Sequence, residues 1–463
     1  MTVAAGLRAQ LAQIELSMAE LESQLTSLRS EKHRLLKVLD RIAYPVTTLP
    51  AEITSDIFLH IIPTSHGDED DNGGDADDDG RLQGYHSLLR LASVCRTWRA
   101  VVLSRCALWN SITVFCDEVR DPVKLLEAWL PRAGKLPIDL KIRLPRDYST
   151  IMSVLSHYAS QWRHVHFFTV PCRVLDRSAS DDLTIDHFPT ALPLLETLKL
   201  FPYHLSDGGN PETSLRDAPG LHSLFLTTPS AAIRMGVPLH QLTSLQFFTS
   251  TDAELLEVLA LTPNLEILRP GILLREEIAV PPSLTLPHLH TFESDDDLCI
   301  LRYLTLPALT HLKFEDLTRT GCLEALQTCI SQSSSTIRTL ELHSGEFIVA
   351  HACFTALPTL RHVTLVFPRC SPSEMEDFCI SMKSSSFLPS LESLTYEGCL
   401  DDSTIHLVNA ISARRLGVEG TTKLTAASIS FLEDGDLVEA LDNLRDLGQR
   451  GLKLDVSGGP GGI

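Results

Sequence analysis

The feature that most constrains this chain is a unit of the form Leu-Pro-x-Leu-x-x-Leu-x-Leu that recurs from about residue 190. It is complete at Leu192-Pro193-Leu194-Leu195-Glu196-Thr197-Leu198-Lys199-Leu200. Variants follow around Leu221-Leu224-Leu226, Leu242-Leu245-Phe247, Leu265-Leu268, Leu289-Phe292, Leu309-Leu312-Phe314, Ile337-Leu340-Leu342, Leu360-Val363-Leu365 and Leu391-Leu394-Tyr396. From Leu195, units begin 26, 21, 23, 24, 20, 28, 23 and 31 residues apart. The closing Leu-x-Leu alternation buries one face of a strand. Each interval leaves room for one helix, as at Thr251-Asp252-Ala253-Glu254-Leu255-Leu256-Glu257-Val258-Leu259 or after the capping-box pattern Ser373-x-x-Glu376. The spacing therefore predicts an α/β fold in which stacked units build a parallel-sheet solenoid over residues 190–430.

Two irregular repeats precede the array within 111–189, around Ile138-x-Leu140-x-Ile142-x-Leu144 and Trp162-x-x-Val165-x-Phe167. Residues 431–463 close it with a helix near Asp436 to Gln449, a strand from Leu452 to Val456 and a Gly-rich tail. All but the longest interval match the leucine-rich repeat, whose period runs from 20 to 29 residues. In such a unit the two residues flanking the second leucine face the concave side. Aligning the units puts Thr197, Ser223, Ser244, Thr291, His311, Thr339, His362 and Ser393 in one column. Lys199, Phe225, Gln246, Glu293, Lys313, Glu341, Thr364 and Thr395 form a second; Phe201, Phe248, Glu315, His343 and Glu397 form a third. Candidate client-binding residues on that face are Phe201, Phe225, Phe248, Lys199, Lys313 and Glu341. The other reading makes the phenylalanines core residues of strands shifted by one, because a one-residue slip turns a strand over.

Residues 1–43 carry a different period. Leu7, Leu11, Ile14, Met18, Leu21, Leu25, Leu28, Leu35, Leu39 and Ile42 alternate 4-3, interrupted only by Lys32. This is a heptad seam, about 54 Å of helix at 1.5 Å per residue. With Leu7 at d, Lys32 falls at a, and leucine at d with one polar a favours two strands. Two readings follow: a homodimeric coiled coil through 7–42, or an amphipathic helix that folds back on its own chain or binds another protein.

Tyr44-Pro45-Val46 ends that helix, since the residue before proline is pushed out of the α region. Three short amphipathic segments follow in 44–110. Thr48 caps the first, with Pro50 in its first turn; its apolar face is Ile53, Ile57 and Phe58 with Leu59 to Ile62. The second presents Leu88, Leu89, Leu91 and Ala92. The third presents Val94, Trp98, Val101 and Val102, with Ser93 as its cap. Between the first two, an insert at 65–84 holds eight acidic residues, and such a run predicts disorder. Its Asp75-x-Asp77-x-Asp79-Gly80 begins like a calcium loop, but the twelfth position, which needs a glutamate, is His86.

The net charge of -20 argues against general nucleic-acid binding or an anionic membrane surface. Eleven scattered cysteines without a C-x-x-C spacing indicate neither a disulfide framework nor a zinc ribbon. No signal-peptide pattern opens the chain and no apolar run reaches membrane-spanning length; the expectation is a cytoplasmic or nuclear protein. No Gly-x-Ser-x-Gly elbow, phosphate loop or His-Glu-x-x-His occurs, and the His164-x-His166 and His288-x-His290 pairs lack companions at metal-site spacing. The chain is expected to be no enzyme and to need no cofactor or metal.

The order of heptad helix, Tyr-Pro-Val, Leu49-Pro50-x-Glu52-Ile53, Val94-Cys95-x-x-Trp98, Leu108-Trp109 and a Leu-rich array resembles the large F-box families of mushroom-forming fungi. The resemblance implies a three-helix F-box that binds the Skp adaptor and, through it, the cullin of an SCF ubiquitin ligase. It implies that Leu49, Pro50, Ile53, Ile57, Leu88, Leu91, Val94, Cys95 and Trp98 meet the adaptor or set the helices that do. A buried tryptophan is worth up to about 5 kcal/mol at roughly 200 Å², the size of an interface anchor; in the other reading Trp98 packs against the first repeat. The function implied is that of a substrate receptor; a leucine-rich scaffold outside any ligase is the alternative.

Overall fold

The computed structural model describes residues 2–39, 49–62, 83–145, 147–168, 183–184, 188–189, 191–201, 203–204, 215–274, 283–294, 299–314, 321–333, 336–343, 347–367, 372–398, 404–417, 420–431, 447–449 and 451–458. The acidic insert up to Arg81, the calcium-like run, Ile42, Glu315 and the segment from Asp436 to Arg445 lie outside them.

The chain divides into two compact units, and the second begins at Trp109. Among the described residues the first holds four α-helices, α1 (Thr2–Leu39), α2 (Ala51–Ile61), α3 (Gln83–Val94) and α4 (Arg96–Ser104). Along α1 the apolar seam is uncovered, with Ile14, Met18, Leu21, Leu25, Leu28 and Leu35 all exposed.

The second unit is a leucine-rich-repeat-like solenoid built on one fourteen-stranded sheet whose strand order follows the chain. Every pairing is parallel, from Ser111–Phe115 against Ile138–Arg143 to Ala426–Phe431 against Lys453–Gly458. Most strands alternate half-exposed and buried side chains, as in Thr197–Phe201 and Thr339–His343, while Ile138–Arg143 and Trp162–Phe168 begin irregularly. Repeat leucines supply the buried set: Leu198, Leu224, Leu245, Leu268, Leu312, Leu340 and Leu394 are all at most 1% exposed. Helices and short 3-10 turns between strands cover that face and leave the other open. Thr251 caps the helix Asp252–Ala260, its hydroxyl accepting the Glu254 N–H at 3.3 Å. The helix near Ser373 starts instead at Pro372, so Ser373 lies inside its first turn.

The Leu-Pro-x-Leu element is a tight turn. Backbone N–H groups of Leu195, Leu309, Leu360 and Leu391 donate to the carbonyls of Leu192, Leu306, Leu357 and Leu388, three residues earlier. Proline at the second position of such a turn pre-sets its backbone angle. One residue later comes the joint between repeats. The Glu196 carbonyl accepts N–H groups from both His222 and Ser223, His222 from Thr243 and Ser244, Thr243 from Glu266 and Ile267, and so on to Glu392 with Thr425 and Ala426.

Near the C-terminal end a single side chain adds to these backbone joints. Arg414, on the helix Thr404–Leu416, is fully buried. Its Nε donates to the Met382 carbonyl at 2.5 Å and its Nη1 to Leu388 at 3.2 Å. Its Nη2 reaches the carbonyls of Phe387 and Ser384. Burial pushes the guanidinium pKa down, yet arginine stays charged at any accessible pH. The clasp holds the turn in which Leu388 adopts φ 46°, a left-handed conformation that costs a branched residue about 1–2 kcal/mol. Arg414→Met keeps the volume but strips four carbonyls of a charged donor. It should lower unfolding stability in urea by about 3 kcal/mol, whereas Arg415→Met, on the half-buried neighbour, should cost under about 1 kcal/mol.

Candidate functional site

Two surfaces carry the residues singled out above, one in each unit. In the first, α2 is two-sided. Thr54, Ser55 and Phe58 are buried, while Ile53, Ile57 and Ile61, one helical turn apart, are 47%, 40% and 53% exposed. The single apolar face expected of this helix is thus really two. Phe58 belongs to the core, together with Leu88, Leu91, Val101, Val102 and Leu108.

Trp98 packs edge-to-face on Phe58, ring centroids 5.0 Å apart at 66°. It is half-buried and ties α4 to α2. Its indole Nε1 is buried without a hydrogen-bond partner among the described residues. Apolar pattern alone groups Phe58 with the isoleucines; its i, i+4 relation to Thr54 is the signal that separates them.

The helix ends also depart from expectation. Pro50 stands at the N-cap of α2, not inside its first turn, and its carbonyl accepts both the N–H and the hydroxyl of Thr54 at 3.0 and 3.1 Å. Thr48 lies outside the described residues. Cys95, not Ser93, caps α4, its Sγ accepting the Trp98 N–H at 3.4 Å. Arg99 donates to the Ala92 carbonyl at 2.9 Å across the α3–α4 break. Arg105 reaches Glu52 at 2.6 Å, and hydrogen bonds from the Glu52 backbone and from Arg105 hold that carboxyl below its usual range. Of the remaining implied residues, Leu49 is half-buried, Pro50 exposed and Val94 60% exposed. Leu89 and Leu103 are exposed as well. Leu88 and Leu91 set the helices; Ile53, Ile57 and Val94 present themselves to solvent.

The second surface is the open face of the sheet. Thr197, Ser223, Ser244, Ile267, Thr291, His311, Thr339, His362 and Ser393 stand in register across it. Two residues on, the next row runs Thr113, Lys141, His166, Lys199, Phe225, Gln246, Arg269. Phe201 stacks on Phe225 at 5.8 Å and meets Phe248 edge-to-face at 4.5 Å, all three half-exposed. The core aromatics of these strands are others: Phe247, Phe292 and Phe314.

Phe248 owes its place to Gly271. The Phe248 carbonyl accepts the Ile272 N–H at 3.0 Å, and a Cβ on Gly271 would sit 2.5 Å from that same oxygen. At φ 67° the position suits glycine alone.

Further along, the face is a ladder of ion pairs. Arg269 grips Glu293 bidentately at 2.7 and 3.1 Å. Glu341 accepts from His343 at 2.5 Å and lies 3.5 Å from Lys313, so its carboxyl titrates below the usual range, chiefly through the histidine. Lys313 and Glu341 are thus partners of each other, while Lys199 stands beside the phenylalanines. His164 and His290 lie 3.7 Å from Glu196 and Glu266. Among the described residues no group of three histidine, cysteine or acidic side chains is placed to hold a metal ion. Among them too, no helix is long and apolar enough to cross a membrane.

Comparison with known proteins bears on the first surface. A family model described as F-box-like matches residues 46–114, so the chain carries an F-box-like domain there. Among solved structures, that of a TLR13–ssRNA13 complex is similar with a TM-score of 0.37 and 16% sequence identity. The match covers 69% of this chain and 42% of that one, so this chain spans less than half the length of its structural neighbour. No curated protein matches the chain.

Proposed function

We propose that this chain is the substrate-receptor subunit of an SCF-type cullin ubiquitin ligase. Its F-box-like domain binds a Skp-type adaptor, and through it a cullin, while the open face of the repeats holds a protein client. The observation that carries the reading is the Ile53–Ile57–Ile61 stripe, exposed on a helix whose opposite side is already used by Phe58. A helix with a second apolar face calls for a second body to cover it. Covering three half-exposed isoleucines is worth roughly 1 kcal/mol each by area. The receptor supplies no reacting group; tethering a client near the conjugating enzyme raises the effective concentration of its lysines. Its place of work is the cytoplasm or nucleus, where the adaptor and free thiols such as buried Cys322, Cys329, Cys353 and Cys379 belong.

The α1 seam completes the reading by pairing two receptors as a parallel coiled coil. The 4-3 spacing suits a supercoiled partner better than a globular one, and Lys32 is the single polar a residue that selects two strands.

Two measurements test these statements. Capture of purified Skp adaptor should fall at least about hundredfold, about 2.7 kcal/mol, in Ile53→Asp/Ile57→Asp with an unchanged thermal midpoint. Equal recovery would sink the ligase reading. Trp98→Ala is the wrong probe, because it loosens the module through Phe58. In sedimentation, the full chain should run as a dimer and Leu21→Lys/Leu28→Lys as a monomer; a monomeric wild type at micromolar concentration would end the coiled-coil proposal.

A further inference from the structure

Beyond the receptor reading, and independently of it, we infer that the last described strand of the solenoid is a docking edge for a second copy of this chain, paired antiparallel about Leu454. The strand Lys453–Gly458 closes the fourteen-stranded sheet, and no described strand lies beyond it. In the strand before it the core positions Ala427 and Ile429 are buried, and so are Ile112 and Val114 in the strand at the opposite end of the sheet. Leu454 and Val456, which continue those core rows, stay half-exposed. A solenoid end whose apolar rows are uncovered needs a cap.

The backbone is turned outwards there as well. The Lys453 N–H donates to the Thr425 carbonyl at 3.0 Å, so alternation along the strand aims the N–H and C=O groups of Leu454 and Val456 away from the sheet. Such an edge is a template for another strand.

The strand that fits this edge is its own copy. Two identical edges meet about a twofold axis and therefore run antiparallel. With Leu454 on that axis, Lys453 of each copy stands opposite Asp455 of the other on the open face, and Val456 meets Leu452 on the core face. Lys453 and Asp455 are both exposed. They fall at the positions without backbone bonds across the pair, where side chains approach closest and opposite charges stabilise the pairing. No other register brings these opposite charges together. A shift by one residue sets open-face residues against core-face ones. A shift by two puts either Lys453 or Asp455 opposite its own copy, like charge against like. The run Leu452-Lys453-Leu454-Asp455-Val456 is thus self-complementary in a single register.

One strand edge buries far less than the roughly 1,200 Å² of a stable interface, so the contact alone is weak, with a dissociation constant on the order of 100 µM. At micromolar concentration Leu21→Lys/Leu28→Lys therefore remains a monomer. The edge acts between crowded chains or chains already held together, where tethering supplies millimolar effective concentrations.

The test is sedimentation of full-length Leu21→Lys/Leu28→Lys at about 0.5 mM, about fivefold above that constant, where dimers should form. Lys453→Asp and Asp455→Lys, each added to this parent, should each weaken association at least about tenfold, because each sets like charges opposite one another. An equimolar mixture of the two should dimerise again, since every aspartate then meets a lysine, and so should the exchange Lys453→Asp/Asp455→Lys. Unchanged thermal midpoints show that the variants are folded. A parent that stays monomeric overturns the inference, as do single variants that associate like the parent or a mixture that stays apart. If the parent stays monomeric but binds a Leu-Lys-Leu-Asp-Val peptide, the edge belongs to a client strand and self-pairing is likewise overturned. The edge changes lie outside the F-box-like domain, so adaptor capture reads the ligase proposal separately.

Discussion

The repeat unit depends on one backbone oxygen. In each junction from Glu196 to Glu392 the carbonyl just before a strand accepts two N–H groups from the next repeat. That doubled bond fixes the offset between neighbours, so each Leu-x-Leu meets its equivalents in register and buried residues stack on buried residues. Because the contact is made by backbone, the residue supplying it is free to vary: Glu196, His222, Thr243, Glu266, His290, Thr310, Arg338, Arg361 and Glu392 share no chemistry. A solenoid of this kind constrains its leucines tightly and these positions hardly at all.

That division explains what could be read in advance. Leucine spacing reports burial with period 2, and proline reports the turn; together they locate strands and the columns between them. The fourth unit shows the limit. Leu265-Leu268 lacks a third apolar residue, so leucine spacing alone does not place Ile267 and Arg269, although they continue both rows. Features made by one side chain against distant backbone leave no periodic trace. Arg414 in Ala413-Arg414-Arg415-Leu416 reads as a basic last turn, and nothing local separates the buried arginine from its half-buried neighbour. Gly271 likewise reads as an ordinary turn after Pro270, yet it sets the position of Phe248.

The F-box-like domain was legible for a different reason: its landmarks are specific residue types at specific offsets. Those landmarks mark the helices but do not say which side of each faces out. In α2 the apolar residues cover more than half the helix, so periodicity cannot divide Phe58 from Ile53 and Ile57. Only the partner decides, and the partner is Trp98. The half-buried tryptophan most visible in the sequence thus holds α4 to α2, and the plainer isoleucines stand exposed beside it.

In a chain of stacked repeats, each unit rests on its neighbours and stability spreads as a nearest-neighbour sum. The Arg414 clasp brackets the strand Ser393–Gly398, while the phenylalanine cluster stands by Thr197–Phe201 to Ser244–Phe247, with five sheet strands between that strand and the cluster. Loss of the clasp releases the last repeats first, and the cluster has its own leucine core beneath it in Leu198, Leu224 and Leu245. Effects at the two sites should therefore add independently, as expected for residues without shared partners.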